Sequence, residues 1–147
     1  MSKSLLTFLE DRETFLEILE KSNEIKNNRS LDNNFCEGKN VALLFEQHST
    51  RTRVSLQSAI NNLGGSAVFL SKKDLQLGRG EPISDTAKVL SSYVDAIVAR
   101  LDSHDKLIEL AENSNIPVIN GLTDKYHPLQ ALADLMTIQE VKGELKV

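Results

Sequence analysis

Among its 147 residues the chain has no tryptophan, one cysteine, three prolines, two tyrosines and five phenylalanines. A lone cysteine, Cys36, rules out a disulfide within the chain and argues against a cysteine-based zinc cluster. It fits a reducing compartment. No apolar run approaches the ~20 residues of a membrane span. The opening MSKSLLTFLEDRETF turns acidic too soon for a secretory leader, so the expected location is cytoplasmic. Lysine and arginine number 17 against 21 aspartates and glutamates, a net charge of −4. That balance, with so few aromatic rings, argues against nucleic acid and anionic membranes as partners. Any anion site must be local.

What remains is ordinary for a globular protein: 40% hydrophobic and 26% charged residues. The length suits one domain, residues 1–147. Four short apolar runs read as buried strands: Val41–Phe45, Ala67–Leu70, Ala96–Arg100 and Pro117–Asn120. Helical patterns fall between them. Asp11 can cap a helix carrying Phe15, Leu16, Leu19 and Ile25 on one side. Leu56, Ala59, Ile60 and Leu63 share a helical face that Gly64–Gly65 ends. Ser84–Tyr93 and Leu107–Asn113 are two further helices, with Ser84 a candidate cap. Pro128 opens a last one carrying Leu129, Leu132, Ala133 and Met136. Lys26–Asn40 reads as a loop. The fold class expected is α/β, a parallel four-stranded sheet flanked by helices. Ligands of such sheets sit at the carboxyl ends of the strands.

Three features converge on that edge. Ser49-Thr50-Arg51-Thr52-Arg53 lies between a strand end and a helix expected to start near Thr52. Free N–H groups at a helix start, two hydroxyls and an arginine fork match phosphate oxygens. The plainer reading is a Ser/Thr cap beside surface arginines. Arg100 closes an apolar strand, where arginine needs an anion. A salt bridge to Asp95 or Asp102 would serve as well. His127 precedes Pro128, which holds its backbone out of the helical region, so the ring projects over the helix start. Gln130, one turn on, faces the same way. A capping histidine beside a solvated glutamine is the alternative. There is no P-loop and no carboxylate pair placed for acid/base work. The loop Leu75–Thr86, with Gly78, Gly80 and Pro82, has the composition of a surface loop or a binding lid.

STRTR at 49–53, QLGRGE at 76–81, DTAKVLSSYVDAIVAR at 85–100 and NGLTDKYHPLQALADLMTI at 120–138 closely resemble the ornithine carbamoyltransferases. The resemblance runs from about Leu5 to the end of the chain. It implies the carbamoyl-phosphate-binding domain of an enzyme that converts carbamoyl phosphate and L-ornithine to L-citrulline and phosphate. It implies that Ser49, Thr50, Arg51 and Thr52 grip the phosphate and that Arg100 bridges phosphate and carbonyl. Thr52, Arg100 and His127 would polarise the carbonyl oxygen, and Gln130 would orient the carbamoyl amide. Gln76 would reach the phosphate of a neighbouring subunit, since the family builds homotrimers with shared sites. No cofactor or metal is implied.

The sequence also departs from the family pattern. Gln47, His48, Leu56 and Gln57 replace residues closer to Lys-Pro and Phe-Glu, so Arg53 is expected to rely on Glu46. His48 is expected to be exposed. The chain ends at KGELKV, where the family's second domain, with the ornithine site, would begin. The resemblance therefore implies a half that is inactive alone. A carbamoyltransferase for another amine such as putrescine, and a stand-alone anion-binding module, are the rival readings.

Overall fold

In the computed structural model, which describes residues 4–8, 11–28, 34–75 and 80–143, the four apolar runs are four parallel strands of one sheet. They are β1 (Asn40–Phe45), β2 (Ser66–Ser71), β3 (Ala96–Arg100) and β4 (Val118–Leu122), in the spatial order β2-β1-β3-β4. Helices α1 (Arg12–Asn27), α2 (Thr50–Asn62), α3 (Ile83–Ser91), α4 (His104–Glu112) and α5 (Pro128–Lys142) alternate with them.

The central strand explains the layering. Side chains of a strand alternate between faces, and a sheet covered on both sides buries both sets. Ala42 and Leu44 of β1 pack with Ile97 and Ala99 of β3 against Ile83, Ala87 and Leu90 of α3 and Leu107 and Leu110 of α4. Val41, Leu43 and Phe45 point the other way with Val98, against Ile60 of α2 and Leu129 of α5. Leu43 and Leu44 have no exposed surface. Each such side chain contributes roughly 1.5–3 kcal/mol on burial.

After β1 the chain crosses to β2 on one side, then returns to β3 on the other. The connections therefore diverge between β1 and β3, and a crevice opens at their carboxyl ends. Phe45 and Arg100, the last residues of the two strands, are paired in register.

The helix starts follow local chemistry. Asp11 caps α1, its Oδ1 accepting from Thr14 N–H at 2.9 Å. Gly64, at φ +81°, ends α2 in a conformation that other residues avoid. Three sequence readings are corrected. The cap position of α3 is Pro82, not Ser84, and that cap makes no side-chain hydrogen bond. Helix α4 begins three residues before Leu107, at His104. Strand β4 runs two residues past Asn120, because Gly121 is absorbed as a bulge: Ala99 pairs with Asn120 and Arg100 with Leu122. Within the expected loop Lys26–Asn40, α1 continues to Asn27 and β1 begins at Asn40, while residues 29–33 lie outside the described ones.

The amino-terminal segment covers the outer edge of β4. Leu5 bridges Ile119 in parallel, with Leu5 N–H donating to Val118 O and Asn120 N–H to Leu5 O, both at 2.8 Å. Among the described residues no helix is long and apolar enough to cross a membrane.

Candidate functional site

The site begins where β1 ends. Glu46 N–H donates to Arg100 O at 2.9 Å, tying the ends of β1 and β3 together. Ser49 then takes extended backbone angles as the cap of α2, and its Oγ accepts from Thr52 N–H at 3.2 Å. One of the free N–H groups at this helix start is thus served internally. Those of Thr50 and Arg51 have no partner within the helix. No acidic side chain stands in the first turn of α2, so its positive dipole end is uncompensated. Thr50 and Arg51 are exposed.

Arg53 does not rely on Glu46. Its guanidinium lies 3.6 Å from the centre of the Phe69 ring. Glu46 is committed elsewhere. Its carboxylate, with only 4% of the side chain exposed, accepts from Lys106 Nζ at 2.9 Å and from Asp102 N–H at 3.0 Å. Lys106 also reaches Asp102 Oδ1 at 2.8 Å. The hydrogen-bonded cluster that Asp102 forms with Glu46 and Lys106 holds its carboxyl pKa down at about 2.

Arg100 is half-buried at the end of β3. Its Nη1 donates to Thr52 Oγ1 at 3.2 Å, and its buried Nε has no partner among the described residues. The two acids that would have neutralised it are occupied. Asp95 takes Lys39 Nζ and Asn40 N–H, each at 2.9 Å, and Asp102 takes Lys106. No carboxylate among the described residues pairs with the Arg100 guanidinium.

His127 occupies the cap position of α5 at φ −136° and ψ 73°, outside the helical region that the following proline disfavours. Its Nδ1 is buried without a partner among the described residues. Burial first, and the Arg100 charge second, push its pKa below the usual imidazole value, with Asp134 opposing. Gln130 is exposed and turns its amide to Asp134, Nε2 donating to Oδ1 at 2.8 Å.

Ser49, Thr50, Arg51, Thr52, Arg100, His127 and Gln130 all line one cavity of about 710 Å³. The exposed His48 stands at its rim. Gln76 lies outside the described residues, as do positions 77–79 of the expected lid. An apolar cavity of about 260 Å³ lies on the other side of His127, between Phe8, Phe15 and Tyr126.

One part of the site escaped the sequence reading. The turn leading into His127 is held by the start of α4. His104 N–H donates to Asp124 Oδ1 at 2.7 Å, and the buried His104 ring meets Thr123 Oγ1 through Nδ1 at 3.1 Å. The His104 and Tyr126 rings meet edge to face at 4.8 Å. Lys125 Nζ reaches Asp105 Oδ1 at 3.2 Å. The only trace in sequence is Thr-Asp at the end of an apolar run, which reads as a turn.

The cavity therefore collects two arginines, hydroxyls, a helix start and an imidazole held toward its neutral form. It is rich in donors and poor in charge-balancing acids. Such a wall suits a small anion.

Comparison with known proteins identifies a family. Residues 3–140 match the family described as "Aspartate/ornithine carbamoyltransferase, carbamoyl-P binding domain". The chain is similar to the ornithine carbamoyltransferase of Bacillus subtilis (strain 168), 57% identical over 145 residues, 98% of this chain and 45% of that protein. The solved ornithine carbamoyltransferase of Pyrococcus furiosus superposes with a TM-score of 0.88 at 48% identity, over 97% of this chain and 46% of that one. That of Thermus thermophilus does so at 0.89 and 41%, over 99% and 50%. The chain thus spans about half the length of the relatives it matches. With nearly all of its length inside the match, and its donor-lined cavity at the strand ends, this chain belongs to the aspartate/ornithine carbamoyltransferase, carbamoyl-P binding domain, family.

Proposed function

We propose that the chain binds carbamoyl phosphate in the donor-lined cavity and is the carbamoyl-phosphate-binding half of an ornithine carbamoyltransferase. The observation that carries this reading is Arg100: a guanidinium bonded to Thr52, with no carboxylate among the described residues to neutralise it, on the wall of the donor-lined cavity. The chain's place in the family and its likeness to ornithine carbamoyltransferases support the same reading.

In this reading the phosphate rests on the N–H groups at the start of α2, on the hydroxyls of Ser49 and Thr50, and on Arg51. Arg100 spans phosphate and carbonyl. Thr52, Arg100 and His127 face the carbonyl oxygen, and Gln130, by exchanging its bond to Asp134, orients the carbamoyl amide. The neutral δ-amine of ornithine attacks the carbonyl carbon, a C–N bond forms, and negative charge moves onto the carbonyl oxygen. The bond to the bridging oxygen then breaks. Phosphate leaves with that electron pair, and the amine's proton balances its charge. Donors fixed beforehand around the carbonyl oxygen lower this barrier, by roughly 3–4 kcal/mol each in comparable oxyanion sites.

Ornithine would be bound by a second domain beyond the matched half. Gln76 would complete a neighbour's site in a homotrimer, and the protein would work in the cytoplasm in arginine biosynthesis. The test is calorimetric titration of the chain with carbamoyl phosphate and with inorganic phosphate. Saturable binding, lost in Arg51→Ala and Arg100→Ala, is expected. A folded chain that binds neither ligand would overturn the reading.

A further inference from the structure

If His127 faces the carbonyl of carbamoyl phosphate, something must hold its ring there. Its Nδ1 accepts nothing and donates to nothing among the described residues. The side chain does not fix itself. Its position is inherited from the backbone just before it.

That backbone is the turn from Thr123 to Tyr126, and it is closed on itself. Thr123 N–H donates to Tyr126 O at 3.0 Å, and Tyr126 N–H donates to Thr123 Oγ1 at 3.2 Å. The Thr123 hydroxyl has one proton to give. Tyr126 O already receives Thr123 N–H and, at 3.3 Å, Asn120 Nδ2. His104 Nδ1 stands nearer to the hydroxyl, at 3.1 Å, than Tyr126 O does, at 3.4 Å. By distance we assign the hydroxyl proton to His104 Nδ1, which puts the imidazole proton on Nε2. Thr123 is 5% and His104 6% exposed, so water does not compete for this bond. The same helix start presents its backbone N–H to Asp124, and the His104 ring braces Tyr126.

We infer that His104 and Thr123 are positioning residues for His127. The buried pair locks the turn that aims the imidazole at the carbonyl. The inference rests on the carbamoyl-phosphate reading, and it divides the site in two. Phosphate is held by the start of α2, which this pair does not touch. Only the carbamoyl end depends on the lock.

That division gives the test. Kd is measured by calorimetry for carbamoyl phosphate and for inorganic phosphate, on the wild-type chain, Thr123→Val, His104→Leu and His104→Asn. In Thr123→Val and His104→Leu the carbamoyl phosphate affinity is expected to fall about three- to tenfold, the worth of one hydrogen bond. Phosphate affinity should stay within error of wild type. His104→Asn puts a polar atom at the place of Nδ1 and should recover most of the loss. Should Thr123→Val fail to fold, the two His104 variants carry the comparison. Folded variants that keep the wild-type ratio of the two affinities, or that lose both affinities alike, would overturn the inference. A wild-type chain that does not prefer carbamoyl phosphate to phosphate would instead sink the reading on which it rests.

Discussion

A guanidinium at the end of a buried strand must be compensated, and in this chain the nearby acids have been drawn away from it. Lys39 holds Asp95, and Lys106 holds Asp102 and Glu46. The cation left over beside His127 has a measurable consequence. Burial and the Arg100 charge depress the His127 pKa below 6.5. A folded pKa below the unfolded one means that the unfolded chain takes up its proton first as pH falls. The stability this group contributes is therefore complete above pH 6.5 and is lost as pH falls through the folded value. In an NMR titration the His127 ring should titrate below 6.5, and in Arg100→Ala its midpoint should move up. A midpoint that stays put in Arg100→Ala would show that the Arg100 charge does not act on the imidazole. At this scale the sequence was legible where chemistry is local. Ser49 and Asp11 cap the helices that follow them, and His127 stands where its proline puts it. It was illegible where partners lie far apart in the chain. Arg53 finds Phe69 rather than Glu46, and His104 finds Thr123 across 19 positions. No spacing rule encodes such pairs.

Among the elements, β4 matters most to the cavity, and its bulge is the reason. The extra residue at Gly121 shifts the pairing so that Arg100 lies opposite Leu122, itself part of the cavity wall. A β-carbon at Gly121 would stand 3.2 Å from Ala99 O and 3.3 Å from Val98 Cγ1. Neither neighbour can retreat, since β3 is buried on both faces. Gly121→Ala should therefore destabilise the chain by about 1–3 kcal/mol, as overpacking does. Urea unfolding measures it. An unchanged midpoint would mean that β3 and β4 can part without cost. The strands themselves were legible from length and composition, each to within about two residues. The bulge was not, because glycine after an apolar run reads equally as a strand stop. The start of α4 was missed for a related reason. Ser103 caps it without a side-chain bond, and Asp124 from another loop serves the first N–H instead.

For the whole molecule, the order β2-β1-β3-β4 opens the crevice between β1 and β3. The sequence placed the Ser-Thr-Arg cluster, Arg100 and the His-Pro turn at the same edge because alternating strands and helices leave only one edge for ligands. What brings the three together physically is the frame at the start of α4. It ties Glu46 after β1, Asp102 after β3 and the turn after β4 into one rim. A net charge of −4 surrounds a cavity whose nearest fixed charges are arginines, so attraction of an anion is local and not a property of the whole surface. The central claim is that this cavity holds carbamoyl phosphate with its phosphate on the start of α2 and its carbonyl oxygen between Thr52, Arg100 and His127. The most direct measurement is a crystal structure of the chain with a methylene-bridged analogue of carbamoyl phosphate. The expected result is density with phosphonate oxygens on the N–H groups of Thr50 and Arg51, and the carbonyl oxygen within hydrogen-bond reach of the Arg100 guanidinium and the His127 ring. Density for the analogue elsewhere, or in the cavity with the carbonyl turned away from both side chains, would contradict the account.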